Sequence, residues 1–126
     1  MGAAESINRA LNTFFNGFGI PGYLEDNIPP AASLPYLTYK PAIPGGWNEE
    51  ASFHVRLWYP SSAGRLPILQ TEDKISAALP RGGLTIECEG GAIVLRKGTP
   101  WAQPLNNTPE GYLCEYLNFE ITQYVV

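Results

Sequence analysis

"SFHVRLWYP", residues 52–60, alternates with period two. Phe53, Val55, Leu57 and Tyr59 fall on one face of a β-strand, and Ser52, His54, Arg56 and Trp58 on the other. The first set makes an ordinary core face. The second ends in a tryptophan where a solvated face calls for a polar side chain. A sheet with one apolar face must be covered by another layer, so helices are expected on the Phe53 side.

The chain offers two. Ile7, Leu11, Phe14, Phe15 and Phe18 recur at helical spacing, Ser6 can cap the element, and Gly17 or Gly19 can end it. A second helix is predicted within Leu66 to Leu79, with Ile68, Leu69, Ile75, Ala78 and Leu79 on its apolar side. Pro67 suits a first turn, Glu72 and Asp73 fall in the N-terminal half, and Pro80 stops it.

Other segments read as strands. "LPYLTYK", residues 34–40, has aromatic and β-branched residues between prolines, which suggests a short strand at an edge. "GLTIECEGGAIVLRK" reads as a hairpin turning at Gly90-Gly91. A long final strand is expected from Gly111 to near Val126. Leu113, Leu117, Phe119, Ile121 and Val125 line one face, and Tyr112, Cys114, Tyr116 and Tyr124 the other. Glu115 interrupts the apolar set, so a bulge is expected there. Ile20 to Ala32 reads as an extended connection, Pro41 to Glu50 as a turn region with Trp47, and Gly98 to Glu110 as a long loop with Trp101. The predicted order is helix, strand, strand, helix, hairpin, strand. This makes one α+β domain over residues 1–126, with a mainly antiparallel sheet and two helices packed on one face.

Composition narrows the function classes. Charged residues make up 16% of the chain, below the globular average, and the net charge is −4. That balance argues against holding nucleic acid by the overall field. No apolar run reaches the ~18 residues of a membrane span, and no charged-then-apolar leader is visible, so the expected site of synthesis is the cytoplasm. Met1 to Ser6 fits the N-myristoylation pattern, but the same residues serve as a flexible start to a helix capped by Ser6. Cys88 and Cys114 read as reduced thiols packed as small hydrophobes. His54 is the single histidine and no CxxC occurs, so neither a metal nor a cofactor is expected. No nucleophile–base spacing, P-loop or GxGxxG is present, which favours a binding or structural role over an enzyme.

Aromatic residues supply the positive signal. Trp58 and the three tyrosines Tyr112, Tyr116 and Tyr124 lie on non-core faces of two strands. In a chain so poor in charge, they form a candidate interface. The competing reading is that the second helix or the Trp101 loop covers that side. Trp47 and Trp101, in proline-stiffened connections, complete the set of candidate interface residues.

The layout resembles small tail-completion proteins of long-tailed bacteriophages and prophages, the tail terminator group with those labelled minor capsid protein. A Phe-rich first helix, "GIPGY", "IPPAASLPYLTY", "FHVRLWYPS", "LQTEDKISAAL", a hairpin and a long last strand carry it over nearly the whole chain. The resemblance implies a non-enzymatic virion protein, made in the bacterial host cytoplasm. It would form a homo-oligomeric ring, commonly a hexamer, at the head-proximal end of the tail. The ring would stop polymerisation of the tail tube protein and face the head-tail connector protein, with DNA only as passing cargo and no membrane. Two other readings stay open: a head-tail stopper, and a bacterial protein-binding module without a phage connection.

Overall fold

The computed structural model describes residues 2–125. The first residue of the myristoylation pattern, Met1, and the expected strand end at Val126 lie outside them. The elements are α1 (Ala3–Phe15), β1 (Gly22–Leu24), β2 (Tyr36–Tyr39), β3 (Glu49–Pro60), a short 3-10 turn (Ser61–Ala63), α2 (Leu66–Ala77), β4 (Leu84–Cys88), β5 (Gly91–Pro104) and β6 (Tyr112–Val125). The fold is α+β. One curled sheet has the order β1-β2-β3-β6-β5-β4.

Alternation along β3 does what its sequence dictates. Phe53, Val55, Leu57 and Tyr59 are buried, and the residues between them are exposed or half-exposed. Along its whole length β3 pairs antiparallel with β6, so Phe53 faces Phe119, Val55 faces Leu117 and Leu57 faces Glu115. Phe53 and Phe119 stack with centroids 5.4 Å apart. Ile7, Leu11 and Phe15 of α1 and Ile68 and Ile75 of α2 join the same buried cluster. Both helices therefore cover one face of the sheet, as the sequence predicts. Each such fully buried side chain contributes ~1.5–3 kcal/mol. The Tyr59 and Thr71 hydroxyls hydrogen-bond across the β3–α2 contact.

Four expectations need correction. The stretch Ile20 to Ala32 is not all connection: Gly22–Leu24 forms β1, parallel to β2, so the sheet is mixed and β2 is not at its edge. A Cβ at Gly22 would lie 2.9 Å from the Phe15 carbonyl oxygen, which is why glycine stands where α1 crosses this strand. Helix α1 starts before Ser6, with Gly2 as its N-cap. Ser6 Oγ instead accepts the Glu89 N–H at 2.8 Å. The stretch from Gly98 is not a loop until after Pro104, because β5 continues along β6 once its register has shifted between Lys97 and Ala102. The β5–β6 ladder is interrupted at that shift. No bulge sits at Glu115, where the β3–β6 register is continuous.

Candidate functional site

The face opposite the helices is built by the other half of each alternation. From β3 come His54, Arg56 and Trp58; from β2, Tyr36 and Thr38; from β6, Tyr112, Cys114 and Tyr116. Register sets the neighbours: Tyr36 pairs with Trp58, Thr38 with Arg56, and Arg56 with Tyr116. Among the described residues, no helix lies on this side. The side chains cover one another instead, leaving Thr38 and Cys114 buried beneath them.

Trp58 is half-buried and held from two sides. Its Nε1 donates to Thr38 Oγ1 at 3.0 Å, and its ring meets Tyr112 edge to face, with centroids 6.0 Å apart. Arg56 donates to the Tyr116 hydroxyl at 3.0 Å and lies 5.2 Å from that ring's centroid. The same guanidinium pairs with Glu25 at 2.8 Å, drawing the segment after β1 over the sheet. His54 approaches Tyr116 edge-on at 5.0 Å. Between these groups lies a groove of ≈ 290 Å³, lined by Tyr36, Trp58, Tyr112, Ile28, Pro109, Thr38 and the Arg56–Glu25 pair. The groove is apolar on its aromatic walls and carries a neutralised ion pair at one end. This suits a peptide or protein surface with an apolar anchor and a polar rim.

Burial governs the titratable groups here. It lowers the pKa of His54, with Arg56 acting in the same direction and Glu25 against it. It raises that of Tyr36, helped by the nearby Tyr112 and Tyr23 hydroxyls. The Cys114 thiol is pushed up to about 12, by burial first, so it is a packed sulfhydryl and not a nucleophile. Both cysteines are free. Ser52 and His54 share a face, but His54 Nε2 is buried without a hydrogen-bond partner. A nucleophile–base pair is not assembled there. Among the described residues, no three His, Cys, Asp or Glu side chains are arranged to hold a metal ion.

The six candidate interface residues divide three ways. Trp58, Tyr112 and Tyr116 come together on the open face. Trp47 and Tyr124 form a second pair, with centroids 5.6 Å apart; Trp47 is 61% exposed. Trp101 stands apart from both. It is half-buried on the helix side, edge-on to Phe119, with the Lys97 ammonium 5.6 Å from its ring. The expectation that it projects from a loop fails because β5 carries it along β6. Sequence reading missed Arg56, Glu25, Tyr36 and Thr38. The alternation of "YLTY" was a usable signal for the last two; the Arg56–Glu25 contact depends on a loop returning over the sheet.

No protein-family model and no curated protein matches the chain. A solved structure whose description names no activity is similar over 98% of this chain and 94% of its own, with a TM-score of 0.62 and 17% identity. At that identity the similarity shows the fold alone.

Proposed function

We propose that the chain is a structural joining protein of a phage tail, which closes into a ring at the head-proximal end of the tube and stops its growth. The observation that carries this reading is the placement of both helices on one face, which leaves an aromatic, groove-bearing face open. A ring requires two different complementary patches on each subunit, because heterologous contacts close by rotation. The aromatic groove is one patch. The second is on α2, on the opposite side, where Leu66 is 66% and Leu69 37% exposed. This pair replaces the Trp101 segment in that role. The element order over nearly the whole chain supports the tail-terminator resemblance. In this reading the protein performs no reaction, holds no cofactor, and meets DNA only as it passes.

Electron microscopy of the purified protein, alone and mixed with polymerising tube protein, tests it. Rings and tubes halted at one end are expected. Unchanged tube lengths in the presence of excess folded protein remove the terminator reading. Assembly with the head-side connector but not with the tube would assign the stopper role instead. The ≈ 290 Å³ groove also favours a second reading, a peptide-binding module. That module would remain monomeric in the same images.

A further inference from the structure

The edges of the sheet are finished unequally. At β1, Gly22 N–H donates to Asn16 Oδ1 at 2.9 Å, and Asn16 Nδ2 donates to the Gly22 carbonyl at 3.2 Å. The Leu24 carbonyl accepts the Asn27 N–H at 2.9 Å. A side chain and a turn have thus taken the place of a further strand. The part of β5 beyond β4 is blunted in another way. It carries the register shift after Lys97, and it contains Pro100 and Pro104. Bulges, prolines and lysines are the usual devices that keep an edge from pairing.

Strand β4 has none of these. Its five residues, LTIEC, run without proline, lysine or bulge. The turn at Glu89-Gly90 joins Cys88 and Gly91 as a hydrogen-bonded pair, so Ile86 and Leu84 also bond back to β5. By the same alternation Thr85 and Glu87 direct their N–H and C=O groups away from the sheet. Both residues are exposed.

We propose that the β4 edge receives an extended peptide strand that alternates small apolar with cationic residues. A row of alternating outward donors and acceptors is matched by another extended backbone. On the helix side, α1 leaves a groove of ≈ 240 Å³ beside the strand, lined by Ala10 and Cys88 together with Ser6, Arg9, Thr13, Glu87 and Glu89. Small side chains of the incoming strand lie over Ala10 and Cys88 there. Its alternate side chains lie on the other face, beside Thr85 and within reach of the Glu87 carboxylate. Glu87 enters none of the ion pairs of the described residues, so a cation beside it is favoured. Charge also decides against a second copy of this chain as the occupant. Pairing β4 with itself about Ile86 sets two Glu87 carboxylates on one cross-strand diagonal, between chains of net charge −4. The inference is independent of the tail-terminator reading.

Two acetylated heptapeptides test it on the full chain, one alternating valine with lysine, the other valine with glutamate. The lysine peptide should bind and slow hydrogen exchange at the Thr85 and Glu87 amides. Glu87→Lys should weaken it about two- to fivefold, the size of one cross-strand charge pair. Thr85→Pro removes an outward N–H at an edge position where proline is tolerated, and should weaken it about tenfold. Should Thr85→Pro fail to fold, Glu87→Lys and the exchange pattern still decide. Absence of protection at Thr85 and Glu87 overturns the proposal. Equal binding of the glutamate peptide overturns its charge assignment. Concentration-dependent dimerisation with those amides protected, and no peptide binding, overturns it in favour of a second copy.

Discussion

Trp101 lies edge-on to Phe119, with ring centroids 5.2 Å apart and planes at 72°. Phe119 in turn stacks on Phe53 and meets Phe15 edge-on at 5.4 Å. The indole therefore closes the rim of the core where β5 has slipped its register. Trp101→Ala should cost about 2–3 kcal/mol of folding stability, below the full-burial figure because the ring is half exposed. Trp101 Nε1 is buried without a partner. Trp101→Phe keeps the ring contact and removes that orphan donor, so its cost should stay under about 1 kcal/mol. Urea titrations of both variants check this. Equal midpoints for Trp101→Ala and wild type would remove the indole from the core.

Trp58 is held by structural contacts, and in the proposed ring it would also be an assembly residue. Its hydrogen bond to Thr38 and its edge contact with Tyr112 fix the indole on the open face. Trp58→Ala should lower stability by about 1–2 kcal/mol, through the lost bond and a half-buried ring. It should weaken ring formation by about 2 kcal/mol or more, as for an interface anchor. Trp58→Phe should recover most of the assembly. Sedimentation velocity separates the two effects, since only the second changes the oligomer distribution of folded protein. A loss of folding with no change in association would make Trp58 a purely structural residue.

Asn16 closes the β1 edge and also ends α1, its own N–H donating to the Asn12 carbonyl at 3.1 Å. Asn16→Ala frees both backbone groups of Gly22 on an exposed edge. A loss of about 1 kcal/mol is expected from the two exchanged hydrogen bonds. Self-association that grows with concentration should accompany it. Light scattering of the variant against wild type measures the second effect. A variant as monodisperse as wild type would show that the edge needs no cover.

Much of this architecture was legible because the decisive signals are local. The alternation of residues 52–60 and the helical spacing of Ile7, Leu11 and Phe15 each specify one buried face. Strand β1 was not legible. Three residues in a proline-rich stretch carry no period, and parallel pairing to β2 is a long-range event. The outer half of β5 was hidden for a related reason: Pro100 and Pro104 read as breakers, while its pairing is set by β6. At the candidate site, the aromatic half of the alternation could be read from Trp58, Tyr112 and Tyr116. The groove could not, because its walls come from register and from loops carrying Ile28 and Pro109.

Glu115 shows how a local reading of a buried charge goes astray. In the sequence it breaks an apolar set and suggests a bulge. In the fold it stays in register, 4% exposed, under α2, with Arg65 at 3.4 Å and Glu72 facing it. Glu72 thus stands beside a second carboxyl with one partly exposed cation between them and solvent. Burial pushes the Glu72 carboxyl up to about 7, and Glu115 and then Asp73 add to the shift. In the unfolded chain the same group titrates near ~4.3. The folded state thus favours the protonated form, and the sign follows. Stability from this group is fully present below the unfolded value and is lost as pH rises through about 7. Glu72→Gln carries no such titration. It should match wild type near pH 4 and exceed it at pH 8 by about 1 kcal/mol, after allowance for solvent screening. Tm values of both proteins across this range give the difference curve. A curve that rises with pH through 6–7 places the titrating group at the α2–β6 contact, and a flat one shows that Glu72 ionises there without hindrance.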